Sequence, residues 1–75
     1  MKEKIIALLL DIRDDLDENS ESLIDSGILS SLDIIQLIGA LNDEFDISIP
    51  ATEIKPSNFN SVNAMAEMIA RLTEL

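Results

Sequence analysis

The sequence predicts an all-α protein: a small helical bundle of three main helices plus one short helix, with a long loop between helices one and two. Three observations carry this expectation. Apolar residues recur at helical spacing in three separate segments. Residues 5–10 read equally well as a buried strand, but no second run of similar strength exists to pair with them, so a helix is expected there. The chain has 75 residues, 47% hydrophobic and 27% charged, a globular composition at the length of one small domain. A domain this size buries only about 60% of the surface its unfolded chain exposes, so its core is thin.

The elements follow in order. In the first helix Ile5, Leu8, Leu9, Ile12 and Leu16 fall on one stripe, with Lys2, Lys4, Asp11, Asp14 and Asp15 largely off it. From residue 14 to residue 30 the pattern dissolves into Asp, Glu, Ser, Asn and Gly, interrupted by Leu23, Ile24, Ile28 and Leu29. Isolated apolar residues in a long loop tack it to a core, and Gly27 is the expected turn at positive φ. The second helix is expected over residues 31–45, with Leu32, Ile35, Leu37, Ile38, Leu41 and Phe45 forming a wide apolar stripe. Ser30 followed three residues later by Asp33 is a capping signature. It makes Ser30 the N-cap and puts Ser31 at the first helical position, at the solvent-facing mouth of the helix. Gly39 sits mid-helix at a cost of ~1 kcal/mol relative to Ala, which close packing or a functional surface would explain. Residues 45–50 form an extended connection. Pro50 and Pro56 bracket a stretch that can hold one helical turn at most. The last helix starts near Ser61 as N-cap and uses Val62, Met65, Ile69 and Leu72. There is no internal repeat and no low-complexity tract.

The charge balance excludes whole classes of function. Five Lys and Arg face fifteen Asp and Glu, a formal net charge of −10, and such a surface repels both nucleic acid and anionic membrane. A partner with a basic patch is its natural complement. Cys, His, Trp and Tyr are all absent, which removes disulfides, Cys or His zinc sites, and catalysis by Cys or by a Ser–His pair. Nothing singles out two of the acids as an acid–base pair. Seven of the fifteen acids lie in residues 11–25 and invite a calcium reading. An EF-hand loop starting at Asp15 would place Asp17 and Asn19 correctly. It then needs Gly at 20 and Glu at 26, where Ser20 and Ser26 stand; starting at Asp17 puts Ser22 and Ile28 there instead. A solvated acidic loop, with no metal ligand in it, is the reading kept. Lys2 and Lys4 before an apolar run resemble a leader for six residues until Asp11 ends it. Nothing approaches the ~20 apolar residues of a membrane span. A cytoplasmic protein, without membrane insertion, is expected.

Residues 25–37, Asp-Ser-Gly-Ile-Leu-Ser-Ser-Leu-Asp-Ile-Ile-Gln-Leu, combine a glycine turn, a serine at a helix mouth, and then Leu and Asp. The helix continues to Phe45-Asp46-Ile47-Ser48-Ile49-Pro50, and a final amphipathic helix follows Asn60-Ser61. In these features, with the acidic loop ahead of them, the chain resembles the phosphopantetheine-binding carrier proteins: acyl carrier proteins, peptidyl carrier domains and D-alanyl carrier proteins. The resemblance covers most of the chain and implies an acyl-carrier-like helical bundle over residues 1–75 as a single domain. It implies that Ser31, the serine followed by Leu32, receives 4′-phosphopantetheine from coenzyme A. The arm then holds an acyl or aminoacyl group as a thioester for presentation to partner enzymes. On this reading Ser31 is an attachment point, and no residue of the chain is catalytic. A phosphodiester there would sit where free N–H groups and the positive end of the helix dipole favour an anion.

The same resemblance makes helix two the recognition surface, with Leu32, Asp33, Ile34, Asp43 and Glu44 meeting partners. Those partners would be a phosphopantetheinyl transferase, a loading ligase, and a downstream transferase or synthase with a basic docking patch, each meeting a monomeric carrier. Gln36 and Asn42 stand where acyl carrier proteins of fatty-acid synthesis usually have acids, and Ser30 where Asp is common. Residues 49–61 look more like the D-alanyl and aminoacyl carrier subset. The cores of the stripes, Ile5, Leu9, Leu41, Phe45, Met65 and Ile69, are expected to be packing residues. The competing reading is a small acidic helical module that binds a partner protein and carries no prosthetic group.

Overall fold

The computed structural model describes residues 1–73, so the last two positions of the expected 1–75 span lie outside the described residues. The chain forms α1 (Lys2–Ile12), α2 (Ser31–Phe45), a 3₁₀ turn (Ala51–Glu53), α3 (Pro56–Phe59) and α4 (Val62–Thr73), with no strand among the described residues. α1 packs against both α2 and α4, and α3 packs on α4. Ile5 and Leu9 of α1, Leu37 and Leu41 of α2, and Val62, Met65, Met68 and Ile69 of α4 are buried in one core with Phe59 at its end. Each such side chain contributes ~1.5–3 kcal/mol when fully removed from water. Phe45, expected in this set, is only partly buried and packs against it.

The loop of residues 13–30 is anchored as its apolar residues imply. Leu16, Leu23 and Leu29 are buried, and Ile24 and Ile28 are partly so. The Leu29 N–H closes back on the Leu23 carbonyl at 3.0 Å, and Gly27 turns the chain at φ +83°. α1 stops short of the predicted stripe: Arg13 is already extended and caps the helix by donating to the Leu9 carbonyl. Leu16 therefore reaches the core from the loop, held by its N–H bond to the Arg13 carbonyl at 3.2 Å.

Two expectations need correcting. Leu32 and Ile35, counted in the apolar stripe of helix two, are 73% and 65% exposed. Fifteen residues at 3.6 per turn present one face to α1 and the shared core, and Ile34, Leu37, Ile38, Leu41 and Phe45 fill it. Leu32 and Ile35 fall outside that face. Pro56 was expected only to end a turn, yet it also begins one, standing at the first position of α3. Its missing N–H costs nothing there and its φ suits a helix start. Asn58 in this short helix is buried, and its Nδ2 donates to the Glu53 carbonyl at 2.7 Å and to Glu53 Oε1 at 3.0 Å. Arg71 of α4 donates to the same Oε1 at 2.8 Å. The 3₁₀ turn, α3 and α4 are thus tied together around one carboxylate.

Candidate functional site

The mouth of α2 is built by a reciprocal cap. Ser30, in extended backbone, accepts a hydrogen bond at Oγ from the Asp33 N–H at 3.2 Å, and its own N–H donates to Asp33 Oδ2 at 3.0 Å. That carboxylate also faces Arg13, with Nε 3.8 Å from Oδ2, and its side chain is only 16% exposed. The hydrogen bond from the Ser30 amide is the main reason the Asp33 carboxyl is held below the usual aspartate range. The Ser30 hydroxyl and the Arg13 charge add to that lowering, against a partial desolvation. The first intrahelical bond runs from the Ile34 N–H to the Ser30 carbonyl at 3.0 Å. The amides of Ser31 and Leu32 therefore lie ahead of the hydrogen-bond ladder, at the positive end of the helix.

Ser31 is exposed at the first helical position. It borders a cleft of about 340 Å³ between α2 and the chain from Ile54 to Phe59, lined also by Ile24, Ile34, Ile35, Ile38, Lys55 and Pro56. The core residues Ile5, Leu9, Leu41, Met65 and Ile69 are fully buried, as expected of packing residues, and none of them lines this cleft. Sequence reasoning missed Ile24, Ile35 and Ile54 as lining residues. Ile54 was legible in part, as a large apolar residue outside every helical stripe, and it is 44% exposed; Ile35 was hidden by its place in the stripe of helix two. The cleft forms only when the 54–59 segment folds over the first half of α2.

The other predicted site residues are spread along α2. Leu32 stands out beside Ser31, and Ile34 is half-buried in the cleft wall. Asp33 is turned into the cap and toward Arg13. Asp43 and Glu44 are exposed at the opposite end of the helix, ~18 Å from Ser31 at 1.5 Å per residue. Neither takes part in an ion pair among the described residues. They sit at the negative end of the helix, where α2 carries no basic residue in its last turn, so they do not stabilise it. Among the described residues no three acids converge closely enough to hold a metal ion. No helix among them is long and apolar enough to cross a membrane.

Residues 3–69 match the model of a family described as "Phosphopantetheine attachment site". Among similar proteins is a D-alanyl carrier protein of Streptococcus mutans, 36% identical over 62 residues, which cover 83% of this chain and 75% of that protein. The D-alanyl carrier protein of Streptococcus uberis is 35% identical over 74 residues, 96% of this chain and 94% of the relative. That of Streptococcus sanguinis is 31% identical over the same length and coverage. No solved structure matches at significance. The chain therefore belongs to the phosphopantetheine-binding carrier family. It is a non-catalytic carrier that works through a covalently attached 4′-phosphopantetheine arm. The mouth of α2 fits that group: an exposed primary hydroxyl, unpaired helix-terminal amides for a phosphodiester, and an apolar cleft at its side.

Proposed function

We propose that Ser31 is the attachment point of the arm and that residues 1–75 act as one carrier domain in the cytoplasm, loaded with an aminoacyl group. The observation that carries this reading is the division of labour between adjacent serines: the cap occupies the Ser30 hydroxyl, while Ser31 is exposed beside an apolar cleft. A phosphopantetheinyl transferase would move the phosphopantetheinyl group from coenzyme A to the Ser31 oxygen: the Oγ–P bond forms as the pyrophosphate P–O bond of coenzyme A breaks, adenosine 3′,5′-bisphosphate leaves, and the serine proton passes to a base of the transferase. The attached arm supplies the terminal thiol on which cargo is held as a thioester. This chain's own residues do the rest. The α2 terminus stabilises the phosphodiester charge. Asp33 and Arg13 hold the helix mouth in place. Leu32 and Ile35 offer apolar contact to the partner, with Ile34 behind them in the cleft wall, and Asp43 and Glu44 offer charge to a basic patch. The names of the relatives support D-alanine as the cargo. A loading ligase and an acceptor-side transferase would then be the successive partners of a monomeric carrier.

The test uses intact mass. Incubation of the full chain with coenzyme A and a phosphopantetheinyl transferase is expected to add one phosphopantetheinyl group. Ser31→Ala should stay at its starting mass, and Ser30→Ala should still be modified. The loaded protein, given ATP and a ligase that charges D-alanyl carrier proteins, should gain a further D-alanyl mass that hydroxylamine removes. No gain on the wild type, or an equal gain on Ser31→Ala, would overturn the attachment reading. Charging with a fatty acid in preference to D-alanine would overturn the cargo.

A further inference from the structure

Asn60 lies between α3 and α4 and holds the long loop by four hydrogen bonds. Its Oδ1 accepts from the Ile24 N–H at 2.9 Å and from the Asp25 N–H at 3.1 Å. Its Nδ2 donates to Asp25 Oδ2 at 3.2 Å, and its carbonyl accepts from the Leu23 N–H at 2.9 Å. Three consecutive loop residues are thereby fixed to a point more than thirty positions away in sequence. A side-chain amide is suited to this because it presents two lone pairs and two N–H donors in one plane; a carboxylate cannot donate, and an alanine does neither.

The three clamped residues have different surroundings. Leu23 is fully buried, Ile24 lines the cleft that Ser31 borders, and Asp25 is exposed. We infer that Asn60 is a positioning residue for partner enzymes' access to the attachment serine: by holding residues 24 and 25 it fixes Ile24 in the wall of the cleft that Ser31 borders. The inference rests on the reading of Ser31 as attachment point. Without the clamp, residues 24 and 25 must be ordered at each encounter, and that ordering weakens association. The chemical step takes place on the Ser31 oxygen and in the transferase, so the loss belongs in KM and leaves kcat alone.

The experiment measures initial rates of phosphopantetheinylation of the full chain by intact mass over a range of carrier concentrations. Asn60→Asp keeps an acceptor for the Ile24 and Asp25 N–H groups but replaces the donor to Asp25 with a second carboxylate, whose repulsion pushes residues 24 and 25 off the clamp. Its KM should rise about tenfold with kcat unchanged. Asn60→Asp combined with Asp25→Asn exchanges donor and acceptor at the same net charge as the wild type, and its KM should return to the wild-type value. Ile69→Val, a mild core change in α4, controls for general loosening and should leave KM unaltered. Amide exchange at Ile24 and Asp25 should be fast in Asn60→Asp and slow again in the double variant. The inference is overturned if Asn60→Asp raises KM no more than Ile69→Val does. It is equally overturned if the double variant recovers slow exchange but not KM, which would make the Asp25 carboxylate itself the contact. A wild type that gains no arm would instead remove the attachment reading on which the inference stands.

Discussion

At the mouth of α2 the Ser30 hydroxyl accepts from the Asp33 amide, which commits it to the cap, while Ser31 is left exposed. Asp33 completes the cap and is its acid-sensitive part. The Ser30 amide above all, then the Ser30 hydroxyl and Arg13, hold its carboxyl below the range it has in an unfolded chain. The unfolded state therefore takes up the proton first on acidification, so this contribution is fully present above the ordinary aspartate value. It is lost as pH falls through the lower, folded value. Urea midpoints measured from neutral to acid pH should fall for the wild type and fall less steeply for Asp33→Asn. A residual slope should remain in that variant, because Glu53 is also held low, chiefly by its bond from Arg71. Residue 33 was legible as a capping partner from its spacing to Ser30. Its pairing with Arg13 was not, because that contact depends on where α1 ends.

The two glycines bear on separate elements and should respond in opposite directions. Gly27 sits at φ +83° in the long loop with nothing near the position of an added Cβ, so Gly27→Ala meets backbone strain alone. Gly39 is helical and exposed, and an added Cβ there also meets nothing within 4 Å. Close packing, one of the two expected reasons for a mid-helix glycine, is thereby removed. Gly27→Ala is expected to destabilise by ~1–2 kcal/mol and Gly39→Ala to stabilise by ~1 kcal/mol, both measured by urea denaturation. The C-terminal end of α2 has a related feature. Asp46 takes the left-handed conformation at φ 53°, and the Asn42 side chain accepts from the Ile49 N–H at 3.0 Å to close the turn. Only the folded connection brings residue 49 back to residue 42.

Across the whole molecule the charge is divided unevenly along the chain. Residues 14–54 hold eleven acids and no Lys or Arg, and this segment includes all of the long loop after Arg13 and all of α2. Such a surface speeds encounter with a basic partner and loses that advantage as counter-ions screen it over ~10 Å at 0.1 M salt. The kcat/KM of transferase modification should therefore fall several-fold as ionic strength rises from about 0.05 M to about 0.5 M, with kcat nearly constant. A salt-independent kcat/KM would mean that the apolar residues around Ser31 govern docking alone.

Periodicity and spacing were enough to set the three main helices, the Ser30 cap and the turn at Gly27, because each depends on residues within a few positions of one another; Ser31 was singled out by the resemblance to the carrier family. The end of α1, the exposure of Leu32 and Ile35, the cleft beside Ser31 and the Asn60 clamp were decided by the tertiary structure. Each needs segments distant in sequence to meet. An apolar side chain is buried only where a neighbouring element arrives to cover it, and helical spacing alone says which residues share a face but not which face is covered.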